Sequence, residues 1–540
     1  MKILFESEAS HSKSGFGKYY HEVISRLHAM GKYEVAEFAS YGLVGDKEKH
    51  DIPWRYYPNS VPGDDPRMEQ YASSKTNEFG EWRFDQVVLD FQPDIVIGCR
   101  DPWQMLHREK SPGRPYFHRV VMPTVDSEPQ RPEWLHDFSS ADAVFAYNEW
   151  GLGVLKTAAD NTVNAIAAAP PATDPDVYRP LNKNAVRSKY GVRDDILVIG
   201  SVMRNQKRKL IPDLLEAFRE FLDMADEDVA DNTYLYLHTS YPDKQGLNLP
   251  SLLNYYGIAS KVLFTYKCQK CGHVFASFFN DMMCVCSSCN QLACMMTSPN
   301  NGVSGEELVE IYNLFNVYVQ YAKAAGHEMP IPEAASCGIY PMAMDTCAMV
   351  DVVRKCGGQP LKIKKHYLEM ETHAYRSYPD NKFTAAKLYR FLRQPVEMQY
   401  GMGMKARKTY MRNYGWDKTA KIWANYFDTV ELKNKPYDAP PVLIDIPPMR
   451  TDPCDNYTYL RWLFEAVLGK PPSVVSTYMF HETLENLNHG MLIINGQTKS
   501  VTREGLYNRC RILGEHANNF EKIRCGMTGL TREDYLDYGQ

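Results

Sequence analysis

Short apolar runs and stretches of helical apolar spacing alternate along most of the chain. Lys2-Ile3-Leu4-Phe5 is a strand-like run, and Tyr19, Tyr20, Val23, Ile24 and Leu27 follow it on one helical face. Further strands are predicted at 33–36, 94–98, 119–123 and 141–148, with helices over 84–91 and 150–155. The pattern resumes with strands at 196–202, 234–238, 262–265, 317–321 and 339–343, separated by helical segments at 214–222, 252–256 and 306–315. A helix at 350–356, a strand at 361–364 and helices at 385–392, 402–410 and 414–427 complete it. Strands that alternate with helices form parallel sheets, so the expected class is α/β.

Where the periodicity lapses, composition marks boundaries. Residues 45–80, rich in Pro, Asp, Ser and Lys, are expected as a mobile excursion. Pro170–Pro180 reads as a linker, which sets a first lobe over 1–185 and a second over 186–435. The proline-rich stretch 435–448 is a second, stiffer linker. Beyond it, helical spacing at 459–468, 480–487, 504–514 and 518–524 predicts a mainly helical extension over 450–540.

A chain of 540 residues exceeds what one core holds, and 44% hydrophobic with 24% charged residues is a globular composition. Net charge is −5, so no global field attracts nucleic acid and any such partner must meet a local patch. The N-terminus enters a strand at once instead of carrying a secretory apolar core, and no apolar run approaches the ~20 residues of a spanning helix. A cytoplasmic protein without membrane contact is expected.

Of 13 cysteines, six crowd between Cys268 and Cys294. Cys268-x2-Cys271 and Cys286-x2-Cys289 are two knuckles, each able to grip one side of a tetrahedral Zn²⁺, which predicts a zinc ribbon inserted over 266–294. Four thiolates leave no position for water, so the metal would be structural; Cys284 and Cys294 are substitute ligands. A structural or copy-pairing ribbon is expected ahead of nucleic-acid contact through Lys267, Lys270, His273 and the nearby phenylalanines.

The densest stretch is Tyr321–Met344, YAKAAGHEMPIPEAASCGIYPMAM. An alternating, half-buried strand ends there, and Pro330 and Pro332 suit a first helical turn. Gly338 stands where a helix stops, and a second strand follows. Glu333 thus lies in the first turn of a short helix at a strand's carboxyl end, where free backbone N–H groups favour anions. Ser14-Gly15-Phe16-Gly17 makes a similar strand, glycine loop and helix near the start, with Gly15 and Gly17 letting backbone approach a phosphate.

The wording of the later loop resembles the signature of family 4 retaining glycosyltransferases, two Rossmann-like lobes facing a cleft in the GT-B fold. That pattern is E-x7-E followed by A-x-x-C-G. Glu333 falls on the second glutamate, which the resemblance assigns to the ribose hydroxyls of a nucleotide-sugar. Ala325 falls on the first, so its contact with the sugar passes to His327 or Glu328. Arg204 and Lys209 fall on the R-x4-K pair that binds the departing diphosphate, where cations stabilise developing negative charge. Asp126 stands where the family has a histidine, and a carboxylate there takes the acceptor proton or orients its attack.

The resemblance implies metal-independent transfer of a hexose or pentose from a nucleotide-sugar, most simply a UDP-sugar, to an acceptor hydroxyl. The added ribbon and extension point to a macromolecular acceptor, hydroxymethylated DNA as in virus-encoded members of the wider GT-B group, with a glycan or small molecule as the alternative. An epimerase or phosphorylase, and a non-enzymatic zinc-ribbon binding protein on a GT-B scaffold, are the rival classes.

Overall fold

The computed structural model describes residues 1–158, 162–298, 300–469, 477–494 and 497–527. In the first lobe, β1 (Lys2–Glu8), β2 (Glu34–Ser40), β3 (Arg55–Pro58), β4 (Ile95–Arg100), β5 (His118–Pro123), β6 (Ala143–Ala146) and β7 (Ala165–Ala168) form one parallel sheet, ordered β3-β2-β1-β4-β5-β6-β7. Strands β4 and β5 are buried along their whole length, as a sheet covered on both faces requires. The helix Gly15–Ala29 returns the chain from β1, capped by Ser14, whose hydroxyl accepts from the Gly17 N–H.

Two expectations are corrected in this lobe. Residues 45–80 are no simple excursion, since they contribute the edge strand β3 and bury Trp54, whose indole donates to Glu37 at 2.8 Å. Their turn-rich composition hid the short run Arg55-Tyr56-Tyr57. The apolar pattern places no strand between 148 and 185, whereas the alanine-rich β7 pairs beyond β6.

The second lobe contains β8 (Leu197–Val202), β9 (Thr233–His238), β10 (Val262–Cys268), β11 (Val274–Phe278), β12 (Cys284–Val285), β13 (Leu292–Met296), β14 (Val317–Gln320), β15 (Tyr340–Met344) and β16 (Gln359–Leu361). Its parallel core runs β10-β9-β8-β14-β15-β16. Strand β14, expected to be half-buried, is buried on both faces at a central position. The ribbon is an outgrowth of this sheet: β10 pairs antiparallel with β11 and β13, and β13 with β12. A further hairpin, β17 (Ile363–Glu369) with β18 (Ala374–Pro379), was not legible in the apolar pattern because most of β17 faces solvent.

Helix Trp416–Thr429 crosses back to the first lobe. Trp423 stacks on Phe145 with centroids 4.2 Å apart and donates to the Tyr19 hydroxyl at 2.8 Å. The helical C-terminal region docks on the first lobe through Arg503–Arg524, a single helix where two were expected. Phe520 enters the core beside Tyr116, and the Tyr116 hydroxyl donates to Glu521 at 2.6 Å. The last part of the expected extension, 528–540, lies outside the described residues. Among the described residues no helix is long and apolar enough to cross a membrane.

Candidate functional site

Each sheet reverses its winding once, between β1 and β4 in the first lobe and between β8 and β14 in the second. Such a reversal opens a crevice at the carboxyl ends of the strands, where open α/β sheets take their ligands. In the second lobe the segments leaving β8 and β14 meet there. Lys209 Nζ stands 2.5 Å from Glu328 Oε1, with the side chains 8% and 5% exposed. Burial holds the Lys209 ammonium below its ordinary range and the Glu328 carboxylate opposes that shift. Arg208 reaches the same carboxylate oxygen at 3.5 Å and donates to the Ala324 carbonyl at 3.1 Å. Arg208 stands between Arg204 and Lys209 in the sequence and is an addition to the expected set.

Glu328 holds a φ of 63° and Cys347 a φ of 43°, left-handed conformations that cost non-glycine residues on the order of 1–3 kcal/mol. The Cys347 sulfur faces the Ala325 backbone N–H, and burial pushes its thiol up to about 12. A buried thiol therefore sits beside the position at which the glutamate pattern is broken.

Arg204 stands apart from this cluster. It is 46% exposed at the side chain and pairs with Asp243 at 2.7 Å. Glu333 opens the next helix, is 8% exposed, and accepts from the Tyr312 hydroxyl at 2.7 Å. Burial, reinforced by the Glu333 carboxylate, pushes the Tyr178 hydroxyl upward. Two carboxylate oxygens have room for about four donors, so these phenols leave capacity for a diol. Lys18, in the first turn after the glycine loop, lies 4.9 Å over the Tyr178 ring and links that loop to Glu333. Gly17 is required sterically, since an added Cβ would fall 2.1 Å from Ser12 Oγ, whereas a Cβ on Gly15 would meet nothing within 4 Å.

The opposing edge of the first lobe is acidic. Burial raises the Asp101 carboxyl; Asp126 and Glu8 add to the shift, while Arg208 from the second lobe opposes it. Asp126 accepts from the Ser127 hydroxyl at 2.8 Å, and its carboxylate lies 3.6 Å from Arg376 on β18. Asp101 and Arg376 carried no local sequence signal, because their roles arise from contact between lobes. The lobes touch at Gly326: Asn148 donates to its carbonyl at 2.6 Å, and a Cβ there would stand 2.5 Å from Thr124 Cγ2. His327 packs edge-on to Tyr414 with centroids 6.0 Å apart, and neither ring nitrogen makes a hydrogen bond of good geometry among the described residues. Burial lowers it to about 3, with the nearby Tyr147 backbone opposing the shift. Of the two residues expected to replace the missing glutamate, Glu328 is the one among the cations.

In the ribbon the sulfurs of Cys268 and Cys289 lie 3.7 Å apart and those of Cys271 and Cys286 3.6 Å apart, and all four lie within 4.8 Å of one another. Ligands ~2.3 Å from a tetrahedral Zn²⁺ are about 3.8 Å apart, so the group fits that ion. Backbone N–H groups of Cys271 and Lys270 lower the Cys268 thiol. Cys284 and Cys294 pair across β12 and β13 and fall outside the four-sulfur group.

Two doubly wound sheets facing across a cleft, with the helix Trp416–Thr429 returned to the first lobe, constitute the GT-B fold. Solved structures bear this out. Sucrose-phosphate synthase from Thermosynechococcus elongatus is similar at a TM-score of 0.57 and 14% identity, over 79% of this chain and 98% of that one. Anabaena HepE in complex with UDP and glucose is similar at 0.54 and 13%, over 80% and 100%. WaaG, a glycosyltransferase involved in lipopolysaccharide biosynthesis, is similar at 0.51 and 12%, over 80% and 100%. No protein-family model matches the sequence. No curated protein matches it either.

Proposed function

We propose that this chain is a retaining glycosyltransferase that moves a sugar from a nucleotide-sugar, a UDP-sugar in the simplest case, to an acceptor hydroxyl. One observation carries the reading. Arg208, Lys209 and Glu328 converge at the switch point of the second sheet, with Glu333 opening the helix that follows. The diphosphate takes Lys209 and Arg208 in exchange for Glu328, and Arg204 swings from Asp243 to join them. Glu333 holds the ribose. A cation held in a desolvated pocket, as Lys209 is, favours the charge that builds on the leaving diphosphate more than it favours the ground state, and the half-exposed Arg208 and Arg204 add to it. The freed Glu328 carboxylate then faces the transferred sugar, taking the task that Ala325 cannot perform. Asp126, held by Ser127 and Arg376, acts as a group that orients the acceptor.

The edge formed by Glu8, Asp101 and Asp126 repels a polyanion, which supports an uncharged glycan or small-molecule hydroxyl over hydroxymethylated DNA. The ribbon takes zinc as a structural ion that stiffens the outer edge of the second sheet. The test offers UDP-, GDP- and ADP-sugars with glycans, small polyols, hydroxymethylated DNA or no acceptor, and reads products by mass spectrometry. Transfer from one donor to a hydroxyl acceptor is expected. Release of free nucleotide without a hydroxyl acceptor, with an isomerised sugar or, when inorganic phosphate is supplied, with sugar phosphate, assigns an epimerase or phosphorylase, and turnover of no donor overturns the enzymatic reading.

A further inference from the structure

A second group of metal-binding side chains lies over the carboxyl ends of β1 and β2. His11 follows β1, Asp46 opens the short helix Asp46–Lys49 beyond β2, and His50 caps its end. Their ligand atoms all lie within 4.8 Å of one another. His11 Nε2 is 3.2 Å from Asp46 Oδ2, and the rings of His11 and His50 stack with centroids 4.2 Å apart. Ligand bonds of ~2.0–2.2 Å place two tetrahedral ligands about 3.3–3.5 Å apart, so the His11 and Asp46 atoms already stand at that spacing. His50 is exposed and needs only a side-chain adjustment to close the third edge.

The surroundings suit an ion. Asp46 Oδ2 accepts the Leu43 backbone N–H at 2.7 Å, which fixes the carboxylate as an outer contact orients a ligand. His11 Nδ1 is buried without a hydrogen-bond partner. The Tyr56 ring lies 6.3 Å from His11, and its hydroxyl is likewise buried and unpartnered. That hydroxyl can donate to a fourth ligand. Lys49 is the opposing charge, felt at His11 together with His50.

We infer that His11, Asp46 and His50 form a binding site for a divalent first-row transition ion of the Zn²⁺ type, with one coordination position left for water or an oxygen donor. Imidazole with a carboxylate selects Zn²⁺ or Ni²⁺ over Mg²⁺ and Ca²⁺, which prefer all-oxygen ligands. The ion would tie the loop before the Gly15–Ala29 helix to the segment 46–50, on the same sheet edge as Glu8. The site is independent of the ribbon and does not depend on the transferase reading.

The test counts metal on the full chain dialysed against micromolar Zn²⁺. Two equivalents are expected for the native protein. Variants His50→Ala and His11→Ala/His50→Ala should each lose one equivalent and keep the other. Cys271→Ser/Cys286→Ser should lose the ribbon's equivalent and keep the one at the histidines. His50 is exposed, so its variant folds and reports binding alone. One equivalent in the native protein, unaffected by the histidine changes, would overturn the proposal. So would a second equivalent that vanishes only with the cysteines, or one that binds only at millimolar metal.

Discussion

Lys209 and Glu328 form a buried ion pair of 2.5 Å, drawn from the two segments that meet at the switch point of the second sheet. Removing one partner of such a pair strands the other charge, at a cost of roughly 3–5 kcal/mol. Lys209→Met should therefore lower the unfolding midpoint and abolish nucleotide binding together. Lys209→Met/Glu328→Gln should restore most of the midpoint and none of the binding. Calorimetric titration with UDP, read beside thermal melts, separates the two effects. Undiminished UDP affinity in the double variant would remove Lys209 from the donor site.

His327 is neutral in the folded chain to about pH 3, because burial disfavours its charged form. An unfolded histidine titrates near 6.5, so between these values the unfolded state binds the extra proton. Stability is fully present above about pH 6.5 and falls as the pH drops toward 3. His238, lowered to about 4 by burial, acts in the same direction. The linkage amounts to about 2 kcal/mol at pH 5 for His327. His327→Leu should lose less stability than the native chain between pH 7 and pH 5 in denaturant titrations. An identical acid response in the two proteins would contradict the burial argument.

A methyl group on residue 326 has no room against Thr124. Gly326→Ala should hold the lobes apart, costing on the order of 1–3 kcal/mol at that contact. Transfer should fall about tenfold or more while UDP affinity, set within the second lobe, changes little. Gly326→Ala/Thr124→Ser removes the clashing Cγ2 and should recover much of the rate. Failure of the double variant to recover would locate the defect elsewhere than lobe closure.

Of the ribbon's four sulfurs, that of Cys268 closes β10, a strand shared with the parallel core. Loss of its metal should therefore weaken the sheet as well as the insertion. Cys271→Ser/Cys286→Ser is expected to lose one zinc per chain and several degrees of melting temperature. Metal analysis beside the melt checks this. An unchanged melt after confirmed metal loss would show the ribbon to be energetically separate.

Much of this arrangement was legible because it is local. The helix Phe84–Phe91 falls where its apolar spacing places it, and the four zinc-type cysteines follow from two spacings. Lys209 and Glu333 lie in the turn between a strand and its following helix and at a helix start, features that neighbouring residues dictate. The rest depends on contacts remote in sequence. Arg204 is claimed by Asp243, 39 residues on, and Arg376 reaches Asp126 from a hairpin 250 residues away. The left-handed backbone at Glu328 and Cys347 also left no trace in residue type, since both positions suggest ordinary side chains.

The most direct test of the donor site is a crystal structure of the chain soaked with UDP, GDP or ADP, whichever binds. The diphosphate is expected on Lys209 and Arg208 with Glu328 displaced, and the ribose diol on Glu333. A nucleotide seated elsewhere, with the Lys209–Glu328 pair intact, or no binding by any of the three, would contradict this placement.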